Sequence, residues 1–220
     1  MKKNIYMTID TETVGGATKP TGAYNYGGVI HDKQGTIYAT FSILVMEHYY
    51  EIAKDDYAKR NFPIYKERLN NGHITAVATE ADAISVIRNL CRFYNVNYIM
   101  AYNSGFDFVK TKCKELLDEF EFIDIYLMAL QTITHLTSYR KFCIDNEKPS
   151  KSKKTCSTSA ETVYAFIHDN ADYIEEHTAL NDALIEMAIF VRCAKMKKHY
   201  TKNVHMWDCE EKNKCFPKWR

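Results

Sequence analysis

The chain has 220 residues, 46% hydrophobic and 26% charged, with a formal net charge of +1. These are the proportions of a globular domain. They exclude a helical membrane protein, because no run approaches the roughly 18 consecutive apolar residues of a span. They also exclude a uniformly basic nucleic-acid coat, so a nucleic-acid partner would have to meet local basic patches.

The N-terminus, MKKNIYMTID, carries two lysines but no long apolar region and no small-residue cleavage site, so no signal peptide is expected. The seven cysteines are scattered and contain no CxxC, which predicts reduced thiols in a cytoplasmic protein.

In chain order, the apolar run from Ile5 to Asp10 predicts the first strand. It carries Asp10 and Glu12 just before Gly15 and Gly16. Residues i and i+2 of a strand share a face, so these two carboxylates aim at one point. Residues 24–32 predict a second strand, with Gly27 and Gly28 marking a bulge or a close approach. The turn at 32–35 leads to a third strand over 36–45, which makes an antiparallel meander with the first strand central.

Residues 47–71 predict helix in two pieces broken near Phe62 and Pro63, closed by Gly72. A helix follows Thr79, with Glu80 and Asp82 in its first turn. Residues 98–102, YIMAY, read as a buried strand reached by a crossover, hence parallel to its neighbour.

Asn103-Ser-Gly-Phe-Asp107 then opens a helix whose apolar stripe runs through Phe106, Val109, Cys113, Leu116, Leu117 and Phe120. Residues 123–125 predict a short strand holding Asp124, and 126–143 another helix. The lysine-rich stretch 145–155 is either a solvated connector or a phosphate-facing lip. Thr158-Ser-Ala-Glu161 matches a capping box opening a helix to about 169, and the last helix spans about 178–194. A basic tail, 197–220, follows a domain of residues 1–196. Its His199, His205, Cys209 and Cys215 match no standard zinc spacing, so a polar tail is expected there.

Two acids and a histidine stand out from this frame. Asp107 sits where an acid can serve as a helix N-terminal cap. Asp182 lies in HTALNDALIEM, a helix apolar nearly all round, with Leu180, Ala183, Leu184, Met187 and Val191 on one side and Ile185 and Ile189 with Asp182 on the other. Such a helix is buried, and a lone buried carboxylate is costly without a partner. His177 falls on the loop entering that helix, placed either as a surface or capping residue or as a group looking at the site that Asp182 lines. Gathered together, Asp10, Glu12, Asp107 and Asp182 would repel one another, and two divalent cations would remove the repulsion while supplying phosphoryl-transfer chemistry.

At these residues the chain resembles the DEDDh 3′–5′ exonucleases, which include proofreading subunits of bacterial replicative polymerases, ribonuclease T and oligoribonuclease. IDTETVG, AYNSGFD and HTALNDA match the three exonuclease motifs in order and rough spacing, from about Ile5 to Ala194. Two positions depart: Thr13-Val14-Gly15 stands where the family often has Thr-Thr-Gly, and Tyr102-Asn103 where it often has His-Asn.

The resemblance implies a ribonuclease-H-like α/β fold, a mixed sheet with helices on both faces, and the meander and later parallel strand agree with it independently. It implies that Asp10, Glu12, Asp107 and Asp182 hold two Mg²⁺ or Mn²⁺ ions and that His177 is the general base. It further places the 3′-terminal nucleotide against the main chain at Thr13 and Val14, with Asn103 and Phe106 near the terminal sugar and base. The expected substrate is a single-stranded DNA 3′ end, released as nucleoside 5′-monophosphates. The alternatives are an exoribonuclease or oligoribonuclease, a module docking on a polymerase or other replication protein, and a ribonuclease-H-like endonuclease.

Overall fold

The computed structural model describes residues 3–15, 20–196, 199–210 and 216–219. Six strands form one sheet: β1 (Ile5–Val14), β2 (Gly22–Asp32), β3 (Ile37–Val45), β4 (Ala76–Ala78), β5 (Tyr98–Ala101) and β6 (Glu121–Asp124). Their order is β4-β3-β2-β1-β5-β6, which makes β1 an inner strand. β1, β2 and β3 pair antiparallel; β4, β5 and β6 add in parallel.

Among the described residues the α-helices are α1 (Met46–Tyr49), α2 (Phe62–Asn70), α3 (Glu80–Phe93), α4 (Ser104–Lys110), α5 (Ile125–Thr132), α6 (Thr137–Asp145), α7 (Ala160–Ile167) and α8 (Ala179–Met196). No helix is long and apolar enough to cross a membrane among these residues.

The pleat of β1 sorts its side chains between two cores. Met7 and Ile9 pack with Ala83, Ile84, Ile87 and Cys91 of α3. Tyr6 faces the other way, into a core built with Ile185, Ile189, Phe190 and Cys193 of α8 and the helices α5 to α7. By the same alternation Asp10 and Glu12 belong to the α8 side. The mixed sheet with helices on both faces is the expected architecture, and α3 starts after Thr79 as expected, the Thr79 side chain capping it by accepting from the Asp82 N–H.

Several local expectations are corrected. The predicted helix over 47–71 is α1, two 3-10 turns and α2; Pro63 lies in the first turn of α2, where its missing N–H is harmless, instead of breaking a helix. β4 carries no sequence signal, being three half-exposed residues on the sheet edge.

The stripe running from Phe106 to Phe120 is not one helix. Thr111 adopts extended backbone, its hydroxyl donating to the Asp107 carbonyl at 2.6 Å and accepting from the Cys113 N–H at 3.1 Å, so the side chain replaces the helical ladder. A 3-10 turn follows, and Val109 faces solvent. The predicted helix over 126–143 divides into α5 and α6 across the β-branched run Thr132-Ile133-Thr134. Ser159, not Thr158, caps α7, while the Thr158 hydroxyl bonds Tyr126 at 2.6 Å.

Candidate active site

Glycine decides how closely α8 approaches the sheet. Asp10 pairs in register with Gly27 of β2, and the N-terminus of α8 lies directly over that glycine: a Cβ there would sit 2.0 Å from the Leu180 nitrogen and 2.1 Å from the Ala179 carbonyl carbon. Gly27 is thus the close approach that its sequence suggested, and the ladder is unbroken at that point. The Tyr65 hydroxyl holds the same helix end, accepting from the Ala179 N–H at 3.2 Å and donating to Asn25 of β2 at 3.0 Å. One turn of helix from this contact carries Asp182 over β1.

The result is a meeting of carboxylates. One oxygen each from Asp10, Glu12 and Asp182 lies within 4.8 Å of the other two. Glu12 is oriented by the Tyr24 hydroxyl, which donates to its Oε2 at 3.2 Å and accepts from the Asn61 side chain at 2.9 Å. Asp107 comes from α4, just beyond β5, and is buried. The Thr11 hydroxyl donates to its Oδ1 at 2.6 Å. That bond overturns the capping alternative: Asn103 flanks α4 without a side-chain cap, and the Ser104 hydroxyl goes to Asp124 instead.

Burial and mutual repulsion keep these groups from ionising at their ordinary pH. Desolvation first, then the charges of Asp107, Glu186, Asp182 and Glu12, push Asp10 well above the usual carboxylate range. Burial raises Glu12 to about 8 against the Tyr24 hydrogen bond, and Asp107 to about 7 against the Thr11 bond. Asp182 is raised to about 9 by burial and then by Glu175 and Glu12. Its Oδ1 is buried with no hydrogen-bond partner among the described residues. A cluster of hard carboxylate oxygens, one of them orphaned, is a donor set that fits Mg²⁺ or Mn²⁺.

His177 stands at the rim on the loop before α8, in left-handed backbone with φ 56°. Its Nδ1 lies 3.8 Å from Glu175, and with Asp182 these side chains form a second group of potential ligand atoms within 4.8 Å. Glu175 and Glu186 are the site residues that the sequence reading missed. Glu186, one turn beyond Asp182, is buried and accepts the Tyr102 N–H at 3.0 Å. An acid at i+4 from Asp182 in an apolar helix was the available signal; Glu175 had none beyond its nearness to His177. In α8, Asp182, Ala183, Ile185, Glu186 and Ile189 are buried and Leu180, Leu184, Met187 and Val191 are partly buried, in keeping with a helix covered nearly all round and with Asp182 on a covered face.

The remaining named residues are dispersed around this centre. Thr13 and Val14 are buried in the last turn of the β1–β2 ladder, beyond a register shift after Glu12. Asn103 and Phe106 line a cleft on α4. In the tail, His205 bonds Ser104 and Cys209 packs near Leu130, while Gly16 and Cys215 lie outside the described residues. The metal-ligand groupings among the described residues are the two acidic ones above.

No protein-family model matches the sequence. No curated protein matches it either. Solved structures do match. E. coli Exonuclease I in complex with a dA16 oligonucleotide superposes with a TM-score of 0.52 at 13% identity, over 89% of this chain and 42% of that one. Its complex with a dT13 oligonucleotide gives 0.52 at 12% identity, over 89% and 42%. Cell-death related nuclease 4 (CRN-4) gives 0.51 at 12% identity, over 88% and 64%. The chain therefore spans less than two-thirds of the length of these neighbours. What they share with it is the fold, which in this chain is a mixed six-stranded sheet with helices on both faces.

Proposed function

We propose that the protein is a metal-dependent 3′–5′ exonuclease that removes nucleoside 5′-monophosphates from single-stranded nucleic acid, DNA being favoured over RNA. The observation that carries this reading is the convergence of Asp10, Glu12 and Asp182 within 4.8 Å, with His177 at the rim of the same cluster. Asp10, Glu12, Asp107 and Asp182 would hold two divalent cations, which when bound lower the pKa of the attacking water and stabilise the leaving 3′ oxygen.

The chain's own part is positioning and proton transfer. His177 accepts the water's proton on Nε2, the ring nitrogen other than the Nδ1 that lies 3.8 Å from Glu175. Thr11 keeps Asp107 in one rotamer and favours its ionised form, and Tyr24 does the same for Glu12. The main chain at Thr13 and Val14 receives the terminal nucleotide, with Asn103 and Phe106 beside its sugar and base.

Matched 5′-labelled single-stranded DNA and RNA, with Mg²⁺ or EDTA and beside an Asp10→Ala control, test the reading. A metal-dependent ladder shortening from the 3′ end is expected, faster on DNA. Cleavage of a strand blocked at both ends would make it an endonuclease. Absence of cleavage by folded, Mn²⁺-binding protein would overturn the activity.

A further inference from the structure

Residues 199–210 lie beyond the motif-bearing part of the chain, yet they are tied to β6 and α4, the elements beside the acidic centre. Asn203 closes a two-way pair with Phe122: its N–H donates to the Phe122 carbonyl and its Oδ1 accepts the Phe122 N–H, both at 2.9 Å. The His205 ring stacks on Phe122 with centroids 4.4 Å apart. Buried Asp124 accepts the Met206 N–H and the Ser104 hydroxyl, each at 2.8 Å, and the Ser104 oxygen is 2.8 Å from His205 Nδ1. A hydroxyl has one proton, already given to Asp124, so His205 Nδ1 carries the hydrogen and donates to Ser104. Met206 is itself buried against Leu127 and Leu130.

All of this anchoring fixes the residue that follows. Trp207 is 55% exposed, and its indole N–H donates to the Asn103 side chain at 2.6 Å. Asn103 is in left-handed backbone, φ 68°, so the bond links the tail to the bend between β5 and α4. With Asn103, Gly105, Phe106 and Lys110 the indole walls a cleft of about 210 Å³. Exposed Lys110 also lines the neighbouring cleft, which holds Lys112 and Lys114. Asp107 stands between Phe106 and Lys110 in sequence, on the buried side of the same helix.

A held, half-exposed indole beside a lysine is the equipment of a single-strand stacking site, where an aromatic face takes a base and a cation takes the phosphate. We propose that Trp207 is a stacking platform for a base of a single nucleic-acid strand, with Lys110 and Lys114 on that strand's phosphates. This rests on the exonuclease reading for its link to the acidic centre. Binding itself does not depend on turnover, so the two can fail separately.

The test uses the full chain in Ca²⁺ with fluorescein-labelled dT12 and rU12, read by anisotropy. Trp207→Ala should weaken binding of at least one strand about 5- to 100-fold, and Trp207→Phe should restore most of it. Trp219→Phe leaves Trp207 as the one tryptophan of the chain. In that protein dT12 or rU12 should quench the indole emission as it saturates, a signal that a merely structural tryptophan would not give. Unchanged affinity in folded Trp207→Ala, or unquenched emission at saturation, overturns the platform. If Trp207→Ala does not fold, the quenching experiment decides alone. Quenching by a strand that the wild-type protein never shortens would leave the platform standing and remove the exonuclease. Shortening at full rate by folded Trp207→Ala, with its affinity for both strands intact, would do the reverse.

Discussion

A methyl group placed on Gly27 would meet the main-chain nitrogen of Leu180 at 2.0 Å. The obstacle is backbone, which cannot swing aside as a side chain tip can. Gly27→Ala therefore has to lift α8, and Asp182 with it, off the strand that carries Asp10. The expected destabilisation is about 1–3 kcal/mol, with Mn²⁺ affinity falling alongside. Gly28→Ala is the control, because its Cβ would meet the Phe41 ring at 2.2 Å on the opposite face. It should lower the melting temperature while leaving Mn²⁺ affinity near wild type. Equal losses of metal affinity in both variants would break the link between Gly27 and the site.

The acids give the metal-free protein a pH dependence of definite sign. Asp107 and Glu175 are raised to about 7, Glu12 to about 8 and Asp182 to about 9, burial being the main cause in each. Their unfolded forms lose protons near pH 4, so between there and the raised values the folded state binds more protons. Stability is then full below the unfolded values and falls as pH rises through the folded ones. His31, lowered to about 4 by burial, works in the opposite direction below pH 6.5, so the clean window lies above it. In EDTA, the melting temperature should drop between pH 6.5 and 9. Saturating Mg²⁺ should flatten much of that drop, and Asp182→Asn should reduce it without metal. A slope indifferent to Mg²⁺ would mean that the cluster does not bind the ion.

Removing His177 separates proton transfer from metal binding. His177→Ala should lower turnover about 10²- to 10⁴-fold, while the Mn²⁺ titration stays close to wild type. Asp182→Asn should instead weaken the titration itself. A large loss of Mn²⁺ affinity in His177→Ala would make the imidazole a ligand, consistent with its grouping with Glu175 and Asp182.

Glu186 offers a different contrast. Its Oε2 takes the Tyr102 N–H at 3.0 Å inside the protein. Glu186→Gln keeps an acceptor and removes a repelling charge, so the metal-free protein should hold or gain stability at pH 8. Glu186→Ala leaves the N–H unsatisfied and should cost about 1–3 kcal/mol. If Gln were as damaging as Ala in thermal melts, the charge rather than the hydrogen bond would be what the site requires.

The parts of the site legible in the sequence are those governed by short-range periodicity. The shared face of Asp10 and Glu12 follows from a period of two, and the position of Asp107 follows from a strand giving way to a helix. Asp182 was marked by the conflict between a charge and an apolar helix. What escaped depends on partners distant in sequence. Thr11 meets Asp107 only because β1 and β5 are neighbours, so Ser104-x-x-Asp107 read locally as a cap. Which side of α8 lies deepest is set by the approach over Gly27, and a helix apolar nearly all round does not record it. Thr111 ended α4 through hydroxyl bonds that no hydrophobic pattern records.

The crossing of α8 over β1 also sets an order of events during synthesis. Asp10 and Glu12 leave the ribosome early, in the meander that can pair first, whereas Asp182 arrives with the last long helix. A chain is synthesised from its N-terminus, so for most of translation the early acids have no opposing wall. The completed cluster thus exists only in chains translated past α8, and a product stopped short of that helix would lack Asp182 and Glu186 and with them the centre.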